Sequence, residues 1–191
     1  LNNRSVKYKD NNEVPENLLQ NYVSEEIENK FRFENTIRKN GWKLNFWTGL
    51  EVVTYKNNTF QKIIFRNLPD TLDFNSELNF IKTSLFGQIS KKAFDNKIIA
   101  SFGLRTDQNS YSKQMSNPLK QLSPRFSLAY ALGEKSSLNF NIGQYFQLPA
   151  YTVMGYRNNN NDLINKENEI TYINNKHLVF GIETNPGNFS K

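Results

Sequence analysis

The chain has 191 residues, a formal net charge of +6, a pI of about 9.4, and a hydrophobic fraction of 37% that is low for a globular domain. Its Lys and Arg residues are scattered among 18 acidic ones without basic runs, which argues against a nucleic-acid interface, and the absence of Cys excludes disulfides and thiolate metal sites. No apolar stretch approaches the roughly 18 residues of a membrane-crossing helix, the best being Ile98 to Leu104 with Ser101 and Gly103 inside it; yet aromatics make up 14% of the residues, so the apolar side chains are expected to be gathered on one surface.

In chain order, a strand is expected through Leu1 to Lys9, followed by a polar link over Asp10–Ser24. The next segment alternates Ile27, Phe31, Phe33 and Ile37 with Glu28, Lys30, Arg32, Glu34 and Arg38. Asn40-Gly41, a pair that supplies positive φ cheaply, then turns the chain into Trp42, Leu44, Phe46, Leu50 and Val52, opposed by Lys43, Asn45, Trp47 and Glu51. A second hairpin joins Ile81–Ile89 to Ile98–Leu104 across Phe94-Asp95-Asn96, and a third joins Phe126, Leu128 and Tyr130 to Leu138, Phe140 and Ile142 across Gly133-Glu134-Lys135. A last strand carries Leu178, Phe180 and Ile182 before a turn at Asn185-Pro186-Gly187.

The connections are as informative as the strands. Tight turns alternate with long polar links at Asp10–Ser24, Asn57–Glu77, Gln108–Gln121 and Pro149–Asn175, the last containing the run Asn158 to Asn161. Compact soluble domains rarely keep such links, whereas outer-membrane barrels alternate short periplasmic turns with long extracellular loops. The expected fold is all-β, an antiparallel transmembrane β-barrel present as an incomplete fragment of about eight strands, with an apolar outer face toward lipid and a polar inner one toward the lumen. A passive porin-like channel and a soluble β-sandwich interaction domain share this periodicity and stay open as alternatives.

Pro124-Arg125-Phe126-Ser127-Leu128-Ala129-Tyr130 and Leu138-Asn139-Phe140-Asn141-Ile142-Gly143-Gln144-Tyr145-Phe146-Gln147-Leu148-Pro149 resemble the barrel of TonB-dependent receptors, especially those of Bacteroidetes-type bacteria. Phe86-Gly87-Gln88 and Gly103-Leu104-Arg105-Thr106-Asp107 fit the same pattern, and the resemblance returns at His177 to Glu183. It implies a receptor in the outer membrane, surrounded by its lipid, that takes up a scarce small-molecule or oligosaccharide ligand such as a metal chelate, vitamin or glycan. Energy would come from the TonB complex acting on a plug domain. Residues 1–191 then form a partial barrel without that plug and without a complete C-terminus, ending at Phe189-Ser190-Lys191.

No enzyme is expected, and no metal or cofactor. His177 is the single histidine and stands at a strand start, Glu25-Glu26 belongs to a polar link, and no Gly-rich phosphate loop is present. Arg105, Asp107 and Arg125 are expected on the luminal face, with Glu28, Lys30, Arg32, Glu34, Lys43, Glu51 and Lys82. Tyr145, Gln147, Tyr151 and Tyr156 are the candidate ligand-binding residues, because aromatics and amides at an extracellular mouth can stack on and hydrogen-bond to a chelate or sugar.

Overall fold

A computed structural model describes residues 1–65 and 68–184. It forms one antiparallel sheet of eight strands in sequence order: β1 (Asn2–Tyr8), β2 (Leu18–Lys39), β3 (Trp42–Phe65), β4 (Leu68–Ala93), β5 (Ile98–Asn109), β6 (Ser123–Ala131), β7 (Ser136–Gln147) and β8 (Ile173–Thr184). The sheet does not close on itself and no second sheet packs on it among the described residues, so this is an incomplete barrel and not a sandwich. No helix there is long and apolar enough to cross a membrane. The expected turn at Asn185-Pro186-Gly187 and the end at Phe189-Ser190-Lys191 lie outside the described residues.

The tight turns follow from local chemistry. Asn40 (φ 48°) and Gly41 (φ 76°) occupy left-handed positions and set Lys39 opposite Trp42. Phe94, Asp95 and Asn96 also take positive φ, and Lys97 N–H closes that turn on the Phe94 carbonyl at 3.0 Å.

Register sorts the side chains of β2, β3 and β4 onto two faces. Phe31, Phe33 and Ile37, with Trp42, Leu44, Phe46, Leu50 and Val52 and with Ile81, Leu85 and Ile89, share one outer face and are all exposed. Exposed apolar side chains in this density cover no protein core and require another apolar medium. At about 3.4 Å per residue, Trp42 to Val52 rises about 34 Å along the strand, which at a tilt near 40° spans about 25 Å, the height of a barrel's lipid-facing band. Trp42 stands at the lower end, with the Lys91 ammonium 4.7 Å from its ring centre. An indole beside a lysine suits a membrane interface, where one part of the pair is apolar and the other wet.

Three strands run far beyond that band, to 22, 24 and 26 residues in β2, β3 and β4. This corrects the sequence reading in two places: Asn57–Glu77 is not a structureless link but the upper part of the β3–β4 hairpin, and β2 already begins at Leu18 within the supposed link Asp10–Ser24. The physical reason is a reversal of faces. Above the rung Val52–Ile81 the outer positions become Thr54 with Asn79 and Lys56 with Glu77, while the apolar residues Val53, Tyr55, Leu78 and Phe80 move to the inner face and are buried. A strand leaving hydrocarbon for water no longer needs an apolar exterior, and its inner face is free to pack protein.

What packs there is the loop structure between β5 and β6 and between β7 and β8. The segment after β5 ends in a 3-10 turn at Pro118–Gln121, and the segment after β7 holds two short helices, α1 (Tyr151–Met154) and α2 (Ile164–Glu167). Tyr111, Met115, Met154 and Tyr172 from these segments join Val53, Tyr55, Leu78 and Phe80 in one buried cluster, flanked by Leu163 and Ile170. At roughly 1.5–3 kcal/mol for each large apolar side chain buried, this cluster makes the loops a folded cap.

Candidate functional site

Below the cap, the inner face carries a network of charges. Lys82 Nζ lies 2.5 Å from Glu51 Oε2 and 3.1 Å from Glu28 Oε1, and Lys30 Nζ lies 2.5 Å from Glu28 Oε2 and 3.7 Å from Glu51 Oε2. Register explains this gathering, since Lys30 pairs with Glu51 and Glu51 with Lys82 across three neighbouring strands. Two lysines and two glutamates in contact balance their charge. Such half-buried pairs fix geometry more dependably than they add stability.

Tyr151, in the first turn of α1, ties the cap to this network. Its hydroxyl accepts from Lys82 Nζ at 3.0 Å and donates to Glu28, and its ring packs 5.7 Å from the rings of Tyr55 and Phe80. Burial pushes the Tyr151 phenol up to about 12, with the hydrogen bond to Glu28 acting in the same direction. Gly155, which follows α1, sits at a close approach: a Cβ there would stand 3.1 Å from Ser76 Oγ, the Tyr151 carbonyl and the Tyr55 ring. Around the cap, Tyr111 donates to the Met154 carbonyl at 2.7 Å, and Asn109 Nδ2 donates to the Tyr172 hydroxyl at 2.9 Å. Burial raises both phenols to about 12.

Two neighbouring depressions open beside the network. One of about 410 Å³ is lined by Glu26, Glu28, Lys82, Gln147, Leu148, Pro149, Ala150 and Tyr151. The other, of about 130 Å³, is lined by Glu51, Lys82, Arg105, Asp107, Phe146, Leu148 and Tyr172 among others, and Lys82 and Leu148 border both. Arg105 holds Asp107 with a two-nitrogen fork at 2.7 and 2.8 Å. On its other side the Arg105 guanidinium lies 4.9 Å from the ring centre of Trp47, which takes Arg32 at 4.7 Å and stacks on Phe86. The resulting surface presents carboxylates, an ammonium, a phenol and an amide side by side, groups whose chemistry is hydrogen bonding.

The candidate residues named from sequence fall into separate places. Gln147 and Tyr151 line the same depression. Tyr156 instead packs edge-on against Phe74 at 5.5 Å within the cap. Tyr145 lies over Gly143, where a Cβ would meet its ring at 3.0 Å, and contacts the Arg125 guanidinium at 4.3 Å and the His177 ring at 4.8 Å. Arg105 and Asp107 stand on the inner face of β5, and Arg125 on the inner face of β6. His177 lies inside β8, opposite Gly143, and not at its start. Among the described residues no group of three or more His, Asp and Glu side chains is placed to hold a metal.

Sequence reasoning missed Glu26, Tyr55, Tyr111, Tyr172 and Met154 as parts of the site or its support. The face reversal at Val52-Val53-Thr54-Tyr55 was a usable signal for Tyr55. The partners of Tyr111 and Met154 come from distant loops and leave no periodic trace.

A family model described as TonB dependent receptor-like, beta-barrel, matches residues 2–178. No curated protein and no solved structure matches the chain.

Proposed function

Because the chain belongs to the TonB-dependent receptor β-barrel family, whose members are receptors and transporters of the outer membrane, we propose that it forms part of a barrel that takes up a scarce nutrient by an energy-coupled route. In this reading the protein sits in the outer membrane, residues 1–191 are wall and extracellular cap, and a plug region outside the chain links it to the TonB complex. The ligand is a metal chelate, vitamin or glycan. It is first held by the depression under the cap, with Gln147 and Tyr151 as contacts, while Arg105, Asp107 and Arg125 line the route below. Tyr145, over Gly143, and Tyr156, against Phe74, stand apart from this depression.

The observation that supports the reading is the folded cap tied by Tyr151 to Glu28 and Lys82 on the inner wall. A passive channel needs an open lumen, whereas here the loops cover the upper part of the inner face, above the charged groups. The test is conductance of the full-length parent in a planar bilayer. An energy-coupled receptor stays closed there; steady ion conductance without an energy source would replace this reading with the porin-like one.

A further inference from the structure

The inner wall carries its charge in two different states. On its upper part the cations are matched: Lys30 and Lys82 by Glu28 and Glu51, Arg32 by Glu34 at 2.9 Å, and Arg105 by Asp107. At the tight-turn end they are not. Arg38, Lys43 and Lys92 lie on the same inner face, and among the described residues none of them forms an ion pair. Asp95, in the turn below Lys92, is not paired with them either, and the next carboxylate up β2, Glu34, is held by Arg32.

Register brings the three cations together. Arg38 stands directly opposite Lys43, Lys43 opposite Ser90 and Ser90 opposite Ser101, while Lys92 is the next inner position below Ser90. Like charges directly opposite on neighbouring strands destabilise a sheet. Here they border a cleft of about 570 Å³ lined on the inner side by Arg38, Lys43, Gln88, Ser90, Lys92 and Ser101, and bordered at the turn by Lys39 and Trp42. No carboxylate lines it. Its volume is that of a small-molecule site, and beside the cations it offers an amide and two hydroxyls as donors. An anion between Arg38 and Lys43 turns their repulsion into two attractions.

We propose that this cleft binds a small polyanion, a molecule with two or more carboxylate or phosphate groups, and that the cargo is of this charge class. The inference rests on the uptake reading above and narrows it: an anionic chelate or an acidic vitamin fits, and an uncharged glycan does not. Arg38 and Lys43 take one anionic group and Lys92 a second, with Gln88, Ser90 and Ser101 donating to the remaining oxygens. Position favours a soluble anion over a lipid headgroup, because Arg38, Lys43 and Lys92 face away from the band that carries Trp42, Leu44 and Phe46.

The test is isothermal titration of the full-length parent in mild detergent with tricarballylate, a tricarboxylate, and with its neutral triamide. The expected result is binding of tricarballylate and not of the triamide, weakened roughly tenfold or more in Arg38→Gln/Lys43→Gln/Lys92→Gln. Lys91→Gln/Lys97→Gln/Lys135→Gln removes the same charge at the same end of the strands but outside the cleft, and leaves binding unchanged. Equal loss in the two triple variants, equal binding of the triamide, or no binding of tricarballylate by the folded parent, as when acidic residues of the plug region fill the cleft, would overturn the proposal. Heat-modifiable migration on unboiled gels shows that each variant is a folded barrel. A parent that conducts steadily yet binds tricarballylate at these residues would refute the uptake reading and leave the anion site standing.

Discussion

Phe46 and Thr54 lie on the same outer face of β3, eight residues apart, on either side of the height at which the apolar residues change face. Phe46 sits well inside the band between Trp42 and Val52, whereas Thr54 is the first outer position above it. Replacing each by Arg therefore asks one chemical question at two depths. An arginine near the bilayer midplane of a barrel costs about 2–4 kcal/mol and near the interface about 0–1 kcal/mol. Phe46→Arg is expected to destabilise by about 2–4 kcal/mol, and Thr54→Arg by no more than about 1 kcal/mol. The assay is reversible urea unfolding of the full-length parent in lipid vesicles, followed by tryptophan fluorescence. In a water-soluble sheet both positions would be ordinary surface sites, each within about 0.5 kcal/mol of wild type. Equal, small effects would refute the reasoning.

Tyr151→Phe removes the hydroxyl that joins Glu28 and Lys82 to the cap, and is expected to cost about 1–2 kcal/mol in local opening, seen as faster amide exchange over 149–156; unchanged exchange would mean that the link holds nothing. Met154 is fully buried in the cap cluster, so Met154→Ala should destabilise the cap by about 2–5 kcal/mol, detected as new protease cleavage between β7 and β8 while the barrel strands stay protected. Tyr111 and Tyr172 have phenols raised by burial to about 12, above the roughly 10 of an unfolded tyrosine. A group whose pKa is higher in the folded state gives stability that is complete below the unfolded value and is lost as pH rises through the folded one. The cap should accordingly loosen between about pH 10 and 12, with tyrosinate absorbance rising as amide protection, exchange measured relative to its intrinsic base-catalysed rate, falls. Protection unchanged across that window would count against burial as the cause.

The band could be read from sequence because lipid imposes a single demand on one face of each strand. Trp42, Leu44, Phe46, Leu50 and Val52 answer it with unbroken period two, and Asn40-Gly41 marks the turn before them. Above the band that demand disappears. The stretch Asn57–Glu77 reads as a polar loop because its outer positions face water, although Val53, Tyr55, Leu78 and Phe80 keep strand periodicity in the opposite phase. The inward charges Glu28, Lys30, Glu51 and Lys82 were visible one by one, but their meeting depends on a register between three strands that composition does not encode. The cap was the least legible part: Tyr111 and Met154 are 43 residues apart and joined by a hydrogen bond to a backbone carbonyl, which no side-chain pattern announces.

The central claim, that one face of this sheet meets lipid and the other does not, can be put to the two tryptophans in the chain. Trp42 is on the outer face beside Lys91, and Trp47 is on the inner face between Arg32 and Arg105. In full-length protein with every other tryptophan replaced, each is left in turn as the single fluorophore through Trp47→Phe or Trp42→Phe and placed in vesicles of brominated lipid. The account predicts strong bromine quenching of Trp42 and little of Trp47; equal quenching of the two, or quenching of Trp47 alone, would contradict it.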